Sequence, residues 1–397
     1  MSAVPLVEGR RARIGVVGTG FVSRSLVRAL RGPRCDDLEV SHVLTRRDAH
    51  ALEHPAADRL TRSLDALVDG CDLVFECSGD PKHAAAVVTR AFEAGRPVVT
   101  LDAEFHVTAG SHFVGRGLLT EAEGDQPGVL AALRERVLDM GFEPLVYGNM
   151  KGFLNLDPTP AEMARWAQRQ GLSLAQTVAA TDGTKIQIEQ ALVANAFGAT
   201  ISRRGLEGWA RDDTEPAARD LARLADEQVG APIADFLVSR TQVPGVFIAG
   251  THDPAQAEAL RYFKLGDGPY YVVTNPQHLV TLEAVRTVRR VLRGDGPLIH
   301  NSARPTVSVA AVAKRRLLAG TRIERGIGSF QVRGEAVRFD EAPGHVPIGV
   351  LQPAVLRRTV EAGEVLQWDD VELPDPALVD IVRALCAPGL TTSAAAP

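Results

Sequence analysis

The chain contains four cysteines, Cys35, Cys71, Cys77 and Cys386, and no two of them have Cys-x-x-Cys spacing. That scarcity argues against a disulfide framework and a cysteine-based zinc site, and it fits a reducing, cytoplasmic setting. No apolar run approaches the length of a membrane span, and residues 1–13 lack the apolar core of a secretory signal. An excess of one charge is missing too. A formal net charge of −5 and a pI near 6.1 leave no footprint for nucleic acid or an anionic membrane. His50 and His54 stand four apart, but a proline follows and no carboxylate motif accompanies them, so both read as solvated histidines and no metal site is expected. No internal repeat is visible.

What is present begins with length: 397 residues at 45% apolar content can fill two or three cores. The stretch RIGVVGTGFVSRSLVRAL (13–30) carries most information. Ile14, Val16 and Val17 read as a buried parallel strand, Gly18-Thr19-Gly20 as a tight turn, and Phe21, Val22 and onward as a helix. In a dinucleotide-binding fold this turn brings the backbone against a pyrophosphate, and the helix N-terminus offers unpaired N–H donors. Ser23 stands in place of the third glycine, small enough for close helix–strand packing.

Strand and helix alternate after this unit. Residues 38–45, 71–78 and 97–101 read as strands and 83–94 as a helix, which implies a parallel sheet covered on both faces. A ligand is then expected at the carboxyl ends of the strands, where Gly18–Gly20, Thr45–Arg47, Ser78-Gly79-Asp80-Pro81 and Asp102-Ala103-Glu104 fall. Strand 38–45 ends in Thr45-Arg46-Arg47, where an NAD-specific fold usually carries an acid. Two guanidinium groups suit a 2′-phosphate, so NADP(H) is favoured over NAD(H). Asp48 could still be that acid, displaced by a residue or two.

From about residue 143 ionisable residues gather among glycines in three places: 148–155, 181–185 and 264–271. Helices are expected at 186–197 and 216–227, the latter with Pro216 in its first turn. A Pro/Gly-rich break at 294–305 precedes a β-rich segment, 316–373, and residues 389–397 read as a flexible tail. Lys185 follows Asp182-Gly183-Thr184 at a helix start, with Glu189 one turn on. Closed from water, such a lysine can pass a proton to or from a carbonyl or alcohol oxygen, and Asp182 can relay it or position substrate. The plainer alternative is a helix cap followed by an exposed i,i+4 Lys–Glu pair. Lys151 lies in a Gly-Asn-x-Lys-Gly loop after the apolar strand 144–147, facing a ligand or making an ordinary surface turn. Lys264 precedes a rigid turn that fixes Tyr270 and Tyr271, which read as core; His278 reads as a capping or core histidine.

Several stretches together, GVVGTGF (15–21), LDAEFHVTAG (101–110), GDQPG (124–128), GNMKGFLN (148–155), DGTKIQIEQALVANAFG (182–198), LGDGPYYVVTNPQHL (265–279), AKRRLLAGTRIERGIGSFQVRGE (313–335) and HVPIGVL (345–351), resemble the homoserine-dehydrogenase-like oxidoreductases with a C-terminal SAF domain. This group is similar in turn to an unusual NADPH-using type of 1-deoxy-D-xylulose-5-phosphate reductoisomerase. The resemblance implies an α/β protein with a Rossmann domain at 10–147, an α/β catalytic and oligomerisation domain at 148–302, and a small β-clip at 303–388. It places a catalytic lysine at Lys185, with Asp182, Glu189, Lys151 and Lys264 lining the same pocket. Gly148 and Lys151 are expected near the cofactor.

The expected activity is hydride transfer between the nicotinamide and a small polar, anionic carbonyl or alcohol substrate, with Lys185 as general acid–base. The alternatives are a reductoisomerase, which would need a divalent metal, and a non-catalytic nucleotide sensor. A homodimer or homotetramer is expected.

Overall fold

The computed structural model describes residues 7, 9–48, 52–241, 244–374 and 376–386; His50 and the expected tail at 389–397 lie outside them. The chain divides into two compact units, 1–128 with 279–303, and 129–278 with 304–397.

The first unit is a six-stranded sheet in the order β3-β2-β1-β4-β5-β6, with every neighbouring pair parallel. Its elements are β1 (Ala12–Val17), α1 (Phe21–Leu30), β2 (Leu38–Leu44), β3 (Leu60–Thr61), α2 (Leu64–Asp69), β4 (Leu73–Glu76), α3 (Pro81–Glu93), β5 (Val98–Thr100), α4 (Ala103–Thr108) and β6 (Leu119–Glu121). The apolar runs form parallel strands because both faces are covered: Ile14, Val16, Val43, Leu73 and Phe75 are buried, and Leu26, Val27 and Leu30 of α1 close over part of them. The reading of a doubly wound Rossmann-type domain holds. Helix α3 starts two residues earlier than expected, because Asp80 caps it by accepting from His83 N–H at 3.2 Å and Pro81 suits the first helical position.

The expected boundary at 147 and the assignment of 279–302 to the second domain are corrected. α11 (Thr281–Arg293) belongs to the first unit, where Ala284, Val285, Val288 and Val291 join its core. Thr281 Oγ1 meets Ser25 Oγ at 2.7 Å, and Arg289 grips Asp37 at 2.7 Å. A late helix can complete an early sheet because an apolar face is recognised by shape and burial, whatever its place in the chain.

α5 (Gln126–Asp139) carries the chain into the second unit, a mixed sheet in the order β11-β10-β7-β9-β8. Its elements are β7 (Glu143–Lys151), α6 (Pro160–Gln170), α7 (Leu174–Thr181), α8 (Thr184–Phe197), β8 (Trp209–Ala210), α9 (Thr214–Leu224), β9 (Ile233–Val238), β10 (Val246–Thr251), α10 (Ala257–Tyr262) and β11 (Tyr271–Asn275). A small C-terminal β region follows, as expected. β12 (Val307–Ala313) pairs antiparallel with β14 (Val332–Arg338), and β13 (Arg322–Ile323), β15 (Ala354–Leu356) and β16 (Val371–Glu372) form a second small sheet before α12 (Pro376–Cys386).

α8 is enclosed. On one side Gln190 Nε2 donates to Tyr147 O at 2.9 Å; on the other, Asn195 Nδ2 donates to Val307 O at 2.8 Å. Every residue from Ile186 to Asn195 is buried. A helix apolar or amide-bearing all round is stable only in such a double-sided setting. No described helix is long and apolar enough to cross a membrane.

Candidate functional site

In the first unit the turn after β1 has the geometry that its glycines require. Gly18 has φ +106°, and a Cβ there would lie 3.0 Å from Cys77 O, so a side chain would meet both backbone strain and a close neighbour. Gly20 is the N-cap of α1 with no side-chain cap, and a Cβ on it would meet open space. The first-turn N–H groups of α1 are thus left for an anion, the arrangement a pyrophosphate needs. Thr19 is buried, Phe21 is exposed and Val22 is half-buried at this helix start. Ser23, read as a mere spacer, also bonds His54 Nε2 through its hydroxyl at 3.2 Å, so His54 is buried instead of solvated.

The other expected cofactor positions also follow strand ends of this sheet. Arg46 and Arg47 follow β2 and are exposed; Arg46 pairs with Asp80 at 2.7 Å. Ser78 and Gly79 follow β4, and Ser78 N–H donates to Glu76 Oε1 at 2.9 Å. Glu104 sits half-buried in the first turn of α4, which Asp102 caps through Phe105 N–H at 2.9 Å. The residues present fit a dinucleotide.

Two buried carboxyls stand here: Asp102, already expected at a strand end beside the cofactor, and Glu76, which escaped the sequence reading. Glu76 and Asp102 are fully buried, and among the described residues neither Glu76 Oε2 nor Asp102 Oδ2 has a hydrogen-bond donor. Burial lifts the Glu76 carboxyl to about 7, and burial together with Glu76 pushes Asp102 well above the usual carboxylate range. Burial and mutual repulsion favour a proton on this pair, which would give each carboxyl a hydrogen-bond partner.

In the second unit, β7 runs on to Lys151, where a strand ending at 147 and a loop had been expected. Gly148 is therefore a mid-strand residue, and its missing side chain leaves room for the Phe247 ring; no loop places it near a cofactor. The longer strand puts Asn149 and Lys151 against α8. Asn149 Nδ2 donates to Glu189 Oε2 at 2.9 Å, and Lys151 Nζ lies 3.1 Å from the same oxygen. Lys185 Nζ stands 3.4 Å from Glu189 Oε1. Glu189 is 0% exposed, against 16% for the Lys151 side chain and 30% for that of Lys185. The exposed-surface alternative for the Lys185–Glu189 pair is thereby removed. One sequestered carboxylate holds two ammonium groups, and Lys185 is the more accessible of them.

Two members of the expected pocket stand elsewhere. Asp182 faces Lys314, 2.7 Å from its Nζ, with both side chains 0% exposed, while Asp182 Oδ1 accepts from Thr184 N–H at 2.9 Å. Gly183, at φ +85°, turns the chain between Asp182 and α8. Burial raises the Asp182 carboxyl, and the Lys314 ammonium opposes that rise. Lys264 is exposed in the turn before β11. Tyr271 pairs with Gly250 and Gly250 with Pro144, so this turn lies at the end of the sheet opposite Lys151. Sheet register, invisible to local pattern, separates the two lysines.

A cavity of about 340 Å3 borders the start of α8, lined by Leu154, Leu156, Asp182, Gly183, Gln187 and Arg333 among others. A larger hollow, about 590 Å3, lies against α9; its charged residues Arg211, Asp220 and Arg223 pair among themselves. Among the described residues no group of three or more His, Cys, Asp and Glu side chains is placed to hold a metal ion.

Lysine is scarce: of 44 Lys and Arg residues only five are lysine, and Lys151, Lys185 and Lys314 are three of those five. Where arginine is the default cation, a lysine is a candidate for a place that needs a compact ammonium or one able to lose its proton. That signal could have singled out Lys314.

Residues 124–284, which contain β7 and α8, match the family model described as "Oxidoreductase DRL, catalytic domain". The chain is an oxidoreductase. No curated protein matches the sequence of this oxidoreductase. Among solved structures it is similar to a homoserine dehydrogenase from Thiobacillus denitrificans, at 14% identity over 90% of this chain and 98% of that one, with a TM-score of 0.44. It is also similar to a UDP-N-acetylglucosamine 3-dehydrogenase from Acidithiobacillus ferrooxidans, at 15% identity over 73% and 92%, with a TM-score of 0.41.

Proposed function

We propose that this oxidoreductase uses NADP(H) in preference to NAD(H) and acts on a small polar, anionic carbonyl or alcohol substrate, with Lys185 as general acid–base. The carrying observation is the buried Glu189 carboxylate shared by Lys151, Asn149 and Lys185. The nicotinamide, when bound, supplies or accepts the hydride. Gly18, Gly20 and the first turn of α1 would hold the pyrophosphate, and Arg46 and Arg47 the 2′-phosphate.

Lys185 gives or takes the proton at the substrate oxygen, with Glu189 fixing the direction of its ammonium. Lys151, bound to the same carboxylate, adds a second ammonium beside Lys185. That charge favours an oxyanion developing on the substrate or an anionic substituent beside it. The test is NADPH oxidation over a panel of small phosphorylated and carboxylated aldehydes and ketones. Turnover that survives EDTA separates this reading from a metal-dependent rearrangement; no turnover on any member counts against it.

Replacing Arg46 and Arg47 together with Ala is expected to weaken NADPH binding about 10- to 100-fold, the scale of losing charge-assisted hydrogen bonds. NADH binding should hold nearly constant. Nicotinamide fluorescence titration measures both, and equal losses would mean that the arginines do not read the phosphate. Assembly is a homodimer or homotetramer. Light scattering should return two or four times the 42.5 kDa chain mass, and a monomer at micromolar concentration would refute it.

A further inference from the structure

We propose that the C-terminal β region is a working part of this site, and that Lys314 is a positioning residue which fixes the start of α8 and hence the direction of Lys185. The inference rests on the reading of Lys185 as the acid–base. Residue 314 lies beyond the span 124–284 that matches the oxidoreductase catalytic model.

The connection is made at three successive points. Lys314, directly after β12, places its Nζ 2.7 Å from Asp182 Oδ2 and donates to Ser329 O at 2.6 Å. On β14, Gly334 N–H donates to Thr184 Oγ1 at 3.0 Å, and Ala336 N–H donates to Gln187 Oε1 at 2.8 Å. Residues 182, 184 and 187 bracket Lys185 on both sides. Closeness is enforced at Gly334, where a Cβ would lie 2.7 Å from Val309 Cγ1 and 3.2 Å from Thr184 Cγ2.

Composition supports the assignment. Arg315 and Arg316 follow immediately, so the chain places arginine freely right beside this position. At 314 the side chain is wholly enclosed and must put a compact charge on one carboxylate oxygen and one carbonyl. A planar guanidinium, with its wider fork of donors, does not fit that demand. A fully buried ion pair is a poor source of net stability but a strong source of geometric specificity, because either partner alone is an uncompensated charge. Here the specificity falls on the helix that carries Lys185 and Glu189.

The test uses the full chain and no substrate. Lys314→Met strands Asp182 and can fail to fold, so Lys314→Met/Asp182→Asn is made alongside; Asn keeps an oxygen for Thr184 N–H and removes the stranded charge. Two readouts are taken: hydrogen exchange of peptides covering 182–192, and the pH profile of trace acetylation at Lys185 followed by mass spectrometry. In the double variant, exchange across 182–192 is expected to speed up by about tenfold with the rest of the chain unchanged. The Lys185 acetylation profile should move along the pH axis. A folded double variant with parental exchange and a parental profile overturns the proposal. Neither readout depends on turnover. Failure of the acid–base reading would instead appear as normal turnover in a Lys185 variant, with the exchange result standing.

Discussion

Lys185→Ala is expected to bind NADPH about as well as the parent and to turn over roughly 10^2- to 10^4-fold more slowly, the usual scale for losing a positioned acid or base. Binding is spared because the proposed cofactor contacts lie on the glycine turn, α1 and the Arg46-Arg47 pair after β2. The fold is spared because Glu189 keeps Asn149 and Lys151 as partners when Lys185 is gone. Lys185→Arg should rescue poorly, since a guanidinium stays protonated and cannot shuttle a proton near neutral pH. Cofactor fluorescence and steady-state rates separate the two effects. Near-normal turnover in the alanine variant would move the assignment to Lys151, the other ammonium on Glu189. Lys264 is no longer a candidate, because it lies at the far end of the sheet.

A second large effect is expected from the buried carboxyl pair in the first unit. Glu76 rises from the usual 4.5 to about 7 in the fold, and Asp102 rises with it. The native state therefore holds more protons than the unfolded chain across this window, and stability falls as pH rises through it. Fully present below about pH 4.5, the contribution is lost by the time pH passes 7. The loss belongs to the pair as a unit, because two coupled carboxyls titrate together. Asp80 beside Glu76, and Glu104 and Glu121 beside Asp102, act in the same direction.

Glu76→Gln supplies one amide donor to the Asp102 carboxylate in place of the shared proton and keeps an oxygen for Ser78 N–H. Relative to the parent, this variant should gain stability steadily between pH 5 and pH 8, as read by urea denaturation at each pH. Parallel curves for the two proteins would show that the pair carries no extra proton in the native state.

The opening strand, turn and helix were legible in the sequence because each depends on short-range causes: an apolar run of strand length, a position that tolerates positive φ, and helical periodicity. Helix α8 was nearly as legible, expected at 186–197 and found at Thr184–Phe197. The stretch 148–151 was misread because Gly148 looks like a turn residue in isolation. In the sheet it is a strand residue that makes room for Phe247, a neighbour about a hundred positions away. Helix α11 was not read from the sequence at all, and its apolar stripe would in any case announce a buried face without naming the sheet that buries it.

By itself the sequence determined the dinucleotide-type unit, the alternation behind a parallel sheet, and a lysine and glutamate one turn apart on a helix. Tertiary structure alone decided which lysines share a carboxylate. Lys151 reaches Glu189 because β7 extends under α8, Asp182 turns away to Lys314, and Lys264 is carried off by the register of β10 and β11. Periodicity reports which face of an element is buried, whereas an ion pair depends on strand register and long-range packing, which no local pattern encodes.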